Sequence, residues 1–302
     1  MIQATDLTWW NLIPTHFDGI AFTIPVLNFP VHWYGLMYLF AFFTCYMVIW
    51  KTNLRQNIGI KKEQMDSFVT WVIAGILIGA RLGYVLFYNP MHYLENPLEI
   101  ITPFRYSASQ GFYFVGISGM SYHGGLIGAI LFGILGMKKN KLPIWDTLNL
   151  GFLAVPLGYS WGRWGNFVNG ELFGEITASP IGMIFPAAGD FQLHHPSQLY
   201  EMLFEGIVLF GILFWLSHYK IFKKQMLPLY LMGYGIFRFF IEFFRRPDNF
   251  LGRNDLIGMS RGQTLCVIMI IAGLILFVWE YKTLKNKGIH HGSAESISEY
   301  RR

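Results

Sequence analysis

The chain has 302 residues, of which 53% are hydrophobic and only 14% charged, and it carries a net charge of +5. A soluble domain would hold roughly 25% charged residues, so the composition excludes an ordinary water-soluble enzyme. The Lys and Arg residues sit between apolar runs rather than on one solvated face, which excludes a nucleic-acid-binding protein.

Residues 1–31 contain no Lys or Arg, so the basic start of a secretory signal is missing, and Trp9 and Trp10 suit a membrane–water interface. A membrane-crossing helix needs about 20 mostly apolar residues. Seven segments meet that need: 32–50, 66–88, 119–137, 145–167, 198–217, 226–244 and 263–281. Glycines interrupt several of them, which a membrane helix tolerates while its backbone stays bonded. The expectation is an all-α polytopic membrane protein with about seven transmembrane helices, forming one transmembrane catalytic domain over 1–287. The polar stretch 288–302 would be a disordered cytoplasmic tail. Cys45 and Cys266 lie in separate apolar segments without Cys-x-x-Cys spacing and read as small buried hydrophobes.

Basic residues set the orientation. Lys51–Lys62, Lys138–Lys141, Lys220–Lys224 and the tail from Lys282 hold 15 of the 23 Lys and Arg. The alternate segments 1–31, 89–118, 168–197 and 245–262 hold five, Arg105, Arg245, Arg246, Arg253 and Arg261. The N-terminus is therefore expected outside and the C-terminus in the cytoplasm. Segments 89–118 and 168–197 are long and rich in Pro, Gly and aromatics, and are expected to form small extracytoplasmic elements with a few short strands.

Three basic residues remain inside apolar runs: Arg81, Arg163 and Arg238. At about 1.5 Å per helical residue they stand roughly 22, 27 and 18 Å above the inner ends of their helices, in the outer half of a core about 30 Å thick. Other polar residues share that depth. His32 and Tyr34 open the first helix, His123 the third, and Gln198, Glu201 and Glu205 the fifth. Asn166, Asn169, Gly170 and Glu171 follow Arg163, while Tyr234, Arg238 and Glu242 lie at i, i+4 and i+8 on one face. Structural readings stand beside a functional one. Arg81 can snorkel to headgroups, Arg238 and Glu242 can be an ion pair, His123 can be a core histidine, and Glu201 and Glu205 can be a solvated helix start. Arg163 has no carboxylate in its own WGRWGN stretch. Ionisable groups converging at one depth in a membrane argue for a site.

Arginine fits phosphate bidentately and stays charged, so a phospholipid headgroup is the ligand nearest to hand. His123 is of the residue type that serves as a general base near neutral pH. Gly124 and Gly125 beside it allow close approach of a lipid, or of another helix through the small-xxx-small pair Gly124 and Gly128. No Walker A sequence and no Gly-x-Ser-x-Gly elbow occurs, and the adjacent His194 and His195 lack the i, i+4 spacing of a zinc pair. No metal site is expected.

Six stretches carry a resemblance: HWYGLMY (32–38), GARLGYVLFY (79–88), HGGLIG (123–128), GRWGNFVNGELFG (162–174), HPSQLYE (195–201) and YGIFRFFIEFFRRPD (234–248). In them the chain resembles the bacterial phosphatidylglycerol–prolipoprotein diacylglyceryl transferases. That resemblance implies an enzyme of the bacterial plasma (inner) membrane working at the outer leaflet. Its substrates would be phosphatidylglycerol, a membrane lipid, and a preprolipoprotein signal peptide bearing a lipobox cysteine. The diacylglyceryl group would pass to the cysteine thiol and glycerol phosphate would leave, without a cofactor. By the same resemblance Arg163 and Arg238 neutralise the phosphate, Asn166 and Glu171 orient the headgroup, and His123 is the base. Tyr34 and Tyr234 line the site, and Arg81, Gly124, Gly125, Asn169, Gly170 and His32 complete the lipid-binding set. Alternatives are that His123 only positions lipid while Glu171 or the phosphate takes the proton, that the chain is an anionic-phospholipid transporter or flippase, or that it is a structural membrane subunit.

Overall fold

The computed structural model describes residues 7–25, 29–102, 104–107, 111–114, 119–246 and 258–286. The tail 288–302 and Arg253 lie outside them, as does the side chain of Arg105. Long helices occupy all seven apolar segments: α1 Trp33–Gln56, α2 Lys62–Phe87, α3 Tyr122–Lys139, α4 Ile144–Val168, α5 Ser197–Leu216, α6 Met226–Ile241 and α7 Arg261–Asn286. Among the described residues α1, α2, α5 and α7 are long and apolar enough to cross a membrane, and α6 is a shorter apolar helix. Large side chains such as Leu39, Phe43, Leu86, Ile130, Leu265 and Ile275 lie exposed along these helices. Apolar surface of that extent belongs against lipid, and the chain is a membrane protein.

Some ends differ from the apolar boundaries for local reasons. Helix α1 runs on through Lys51 and Arg55, because a polar turn costs nothing once the helix has left hydrocarbon. Helix α2 starts at Lys62 rather than 66, where Gln64 Oε1 accepts from the Lys61 N–H at 3.0 Å. Helix α5 is wound as a π-helix from Glu201 to Val208, which no apolar count reveals.

The chain forms two compact units, Asn53–Thr147 and Met1–Thr52 with Leu148–Arg302. In the first, α2 and α3 pack through glycines. A Cβ on Gly83 would fall 2.7 Å from the Gly124 Cα, and one on Gly79 2.8 Å from the Gly128 Cα. Only bare backbones approach so closely. Ser121 caps α3, accepting from the Gly124 N–H at 3.3 Å. Strands β3 (Phe104–Ser107) and β4 (Gly111–Phe114) form an antiparallel pair.

The second unit has two cores. One buries Leu153, Leu209, Leu213 and Met226 among α4, α5 and α6. The other buries Phe167, Met183 and Phe185 beneath Trp10, Ile13, Phe17 and Phe173. Antiparallel pairs β1 (Ile20–Ile24) with β2 (Phe29–His32), and β5 (Met183–Ile184) with β6 (Leu193–His194), lie in the two long polar segments of this unit. The N-terminal residues clasp the second segment. Asn11 Nδ2 donates to the Gly182 and Pro180 carbonyls at 2.7 and 3.2 Å, and Trp10 Nε1 donates to the Ile181 carbonyl at 3.0 Å.

An acid-sensitive tie closes the β5–β6 turn. The Gln192 N–H donates to Asp190 Oδ1 at 3.1 Å, and His194 Nε2 lies 3.0 Å from Asp190 Oδ2. The amide, then the histidine, holds the Asp190 carboxyl below its usual range. A carboxyl depressed in the fold stabilises it above the ordinary carboxylate range and loses that contribution as pH falls through the folded value. Protection from hydrogen exchange at 183–194, taken relative to the free-chain rate at each pH, is therefore expected to fall on acidification, and Asp190→Asn should remove that acid dependence.

Candidate active site

Helix α4 places Tyr159, Arg163 and Asn166 on one face, then ends in a turn that brings its next residues back. The Gly170 N–H donates to the Phe167 carbonyl and the Glu171 N–H to the Asn166 carbonyl, both at 3.0 Å, with Gly170 at φ +67°. This pair of bonds is the Schellman end, which needs a residue free to adopt the left-handed conformation. Its effect is to fold Glu171 over Asn166. Asn166 Nδ2 donates to Glu171 Oε1 at 2.8 Å, and Arg163 Nη1 donates to Asn166 Oδ1 at 3.1 Å. The HPSQ stretch secures the turn: Ser197 Oγ donates to the Leu172 carbonyl at 3.0 Å and Gln198 Nε2 to the Glu171 carbonyl at 2.7 Å.

Glu201, on the π-wound turn of α5, is the hub. It is fully buried. Arg163 Nε lies 2.6 Å from Oε2, and Arg245 Nη1 and Arg238 Nη1 lie 2.7 and 3.1 Å from Oε1. Tyr159 Oη lies 3.0 Å from Glu201 Oε2 and 2.6 Å from Glu205 Oε2, so its one proton bridges the two carboxylates. The Arg163 guanidinium also sits over the Tyr159 ring at 4.7 Å. Glu205 is buried too, its Oε1 3.7 Å from Arg238 Nη1. On α6, Tyr234 stands edge-on to Tyr159 at 6.0 Å, and Arg238 Nη2 lies 3.3 Å from Glu242 Oε2. Charges taken from water persist only when paired, and here three arginines meet three carboxylates. Arg163 and Arg238 nevertheless keep 18% and 16% of their side-chain surface exposed, so both remain reachable.

Tyr34 belongs to this unit. Its hydroxyl lies 3.1 Å from that of Tyr38, and its ring packs on Gly165, where a Cβ would come within 3.0 Å. Asn169 Nδ2 donates to Glu171 Oε1 at 3.5 Å. His32 is exposed at the end of β2. His195, outside the helices, has its Nδ1 3.1 Å from Tyr200 Oη, and burial lowers its pKa.

The other candidates are in the α2–α3 unit. Arg81 does not run free to headgroups. Its Nε donates to the Ile100 carbonyl at 2.9 Å, Nη1 to the Gly119 carbonyl at 3.2 Å and Nη2 to the Glu99 carbonyl, beneath the Tyr93 ring at 5.0 Å. Gly124 and Gly125 are buried against α2. His123 is exposed at the first turn of α3, edge-on to Tyr122 at 5.7 Å.

Glu201 and Glu205 are thus not a solvated helix start, and the carboxylate absent from the WGRWGN stretch reaches Arg163 from α5. Sequence reasoning passed over Tyr159 and Arg245. The available signal was Glu205, four residues beyond Glu201 and inside an apolar run, where an unpaired charge is costly.

The family model described as "Prolipoprotein diacylglyceryl transferase" matches residues 19–279. The phosphatidylglycerol–prolipoprotein diacylglyceryl transferase of Chlorobaculum tepidum is 41% identical over 285 residues, 94% of this chain and 97% of that protein. Its namesakes in Campylobacter hominis and Bordetella avium are 41% and 42% identical, covering 93% and 87% of this chain and 96% and 94% of their own. This chain belongs to the prolipoprotein diacylglyceryl transferase family.

Proposed function

We propose that this chain transfers the diacylglyceryl group of phosphatidylglycerol to the thiol of the lipobox cysteine of a preprolipoprotein, the first step of bacterial lipoprotein maturation. The names of its relatives support that reaction, and the arginine cluster around Glu201 carries it to these residues. The thiolate sulfur attacks the glyceryl carbon, an S–C bond forms, the C–O bond to phosphate breaks, and glycerol phosphate leaves. Arg163 and Arg238 bind the phosphate and stabilise the charge growing on it. Asn166, Asn169, Gly170 and Glu171 orient the glycerol headgroup beside Tyr34 and Tyr234. His123 takes the thiol proton from the exposed first turn of α3, and Gly124 and Gly125, placed in the lipid-binding set by the resemblance, instead seat that turn against α2. Arg81 ties the Glu99, Ile100 and Gly119 carbonyls to α2, and His32 completes the lipid-facing polar set. The phosphate ester is itself the leaving group, so no cofactor is called for.

In this reading residues 1–287 act as one transmembrane catalytic domain of the bacterial inner membrane. Seven spans, with the N-terminus outside and the C-terminus in the cytoplasm, follow from the distribution of Lys and Arg. The segments 1–31, 89–118, 168–197 and 245–262 then face outward, and the site opens to the outer leaflet.

Purified protein mixed with phosphatidylglycerol and a lipobox peptide should release glycerol phosphate only when the peptide thiol is free. Folded Arg163→Ala should lose at least about a hundredfold in that rate. His123→Gln should lose a comparable factor, and substantial activity in it would move the base elsewhere. Well-folded wild type that binds phosphatidylglycerol and releases nothing would sink the transferase reading in favour of lipid transport.

A further inference from the structure

Glu242 stands at the C-terminal end of α6. Its carboxylate is shared between two elements. On the site side, Oε2 lies 3.3 Å from Arg238 Nη2 and 3.8 Å from Arg245 Nε, without hydrogen-bond geometry to either. On the other side stands the start of α7. Ser260 Oγ donates to Glu242 Oε1 at 3.1 Å. Gly262 meets the same carboxylate face-on: a Cβ there would fall 2.7 Å from Cδ, 3.1 Å from Oε2 and closer still to Oε1.

The stretch Ser260-Arg261-Gly262-Gln263 reads as a helix cap with a second task. The Ser260 N–H donates to Gln263 Oε1 at 2.9 Å and the Gln263 N–H donates to Ser260 Oγ at 3.0 Å, the reciprocal bonds of a capping box. With its oxygen occupied as acceptor, the Ser260 hydroxyl has one proton left, and that proton goes to Glu242. Gly262, one residue on, removes the side chain that would push the carboxylate away. The first turn of a 26-residue helix also presents unpaired N–H groups and the positive end of the helix dipole, which favour an anion there.

We infer that Ser260 and Gly262 are positioning residues for Arg238: they seat the Glu242 carboxylate on the α7 N-terminus, and Glu242 fixes the guanidinium face that Arg238 turns toward an anionic headgroup. Neither touches substrate. Displacing Glu242 frees Arg238 Nη2 to rotate while Glu201 and Glu205 still hold Nη1. The guanidinium then keeps its charge and loses its aim, so the loss falls on lipid binding more than on turnover.

The inference rests on Arg238 as a headgroup ligand, and the test separates the two. In the glycerol phosphate assay, Gly262→Ala should raise KM for phosphatidylglycerol about tenfold with a smaller change in kcat. Adding Glu242→Asp, which withdraws the carboxylate by one methylene, should bring KM back toward wild type. Gly211→Ala, whose methyl meets nothing within 4 Å, is the control for an added methyl on a helix. Should Gly262→Ala fail to fold, Ser260→Ala decides by the same rise in KM. Folded Gly262→Ala or Ser260→Ala with wild-type KM, while Arg238→Ala raises it, overturns the positioning inference alone. An unchanged KM in Arg238→Ala overturns the headgroup role of Arg238 and the inference with it.

Discussion

Glu201→Ala is expected to abolish transfer, by about a thousandfold or more, and to destabilise the folded protein by about 3–5 kcal/mol, because removing one member of a buried ionic cluster leaves its partners uncompensated. Arg163, Arg238 and Arg245 all lie within 3.1 Å of this carboxylate, so three guanidinium groups lose their common acceptor at once. Glu201→Gln keeps the shape and an acceptor oxygen but not the charge, and should recover part of the stability with little of the activity. Rates per folded molecule, with thermal melting in the same detergent, check both. A Glu201→Ala protein that melts like wild type and turns over within tenfold of it would show that the cluster orients nothing.

That hub marks where sequence reading stopped. The apolar segments announced the helices because hydrocarbon allows few other residues over about 20 positions. The i, i+4, i+8 spacing likewise announced the shared face of Tyr234, Arg238 and Glu242. Glu201 was harder to place. It follows HPSQLY, a polar helix entrance, and a carboxylate there is equally at home in water. Its burial depends on three arginines brought from α4, α6 and the residues after α6, which only tertiary structure assembles. Tyr159 looked like one more aromatic in an apolar run, and nothing local distinguished its hydroxyl as the bridge between Glu201 and Glu205. The ambiguity at Gly124 had a similar origin: a glycine that admits a lipid and one that admits a helix are spelled alike. The structure packs Gly124 on Gly79 and Gly83.

Gly128→Val is expected to cost about 3 kcal/mol or more, since the added side chain has no room and the overlap is with backbone, which cannot step aside. A Cβ at Gly128 would stand 2.8 Å from the Gly75 carbonyl carbon and 2.9 Å from the Gly79 Cα, and nearer still to the Gly75 oxygen. Helices α2 and α3 would have to part along the contact. Five residues on, Gly133→Ala is the contrast, its methyl meeting Val72 Cγ2 at 3.7 Å, an ordinary contact. Folded yield from membranes and melting temperature should fall sharply in the first variant and stay put in the second. Equal melting temperatures would mean that the close approach of the two helices contributes nothing to stability.

The N-terminal clasp sets an order of events during synthesis. Trp10 and Asn11 find their acceptors at Pro180, Ile181 and Gly182, about 170 residues downstream. Translation delivers the first partner long before the second, so Trp10 and Asn11 are among the last residues to settle. Closing a flexible loop of that length would oppose the contact by roughly 4–5 kcal/mol. The helices inserted in the interval shorten the effective distance and lower that barrier. Trimming residues before Ile13 should therefore leave helix insertion intact while slowing the maturation of the β5–β6 segment, a kinetic defect visible as prolonged protease sensitivity at 180–194.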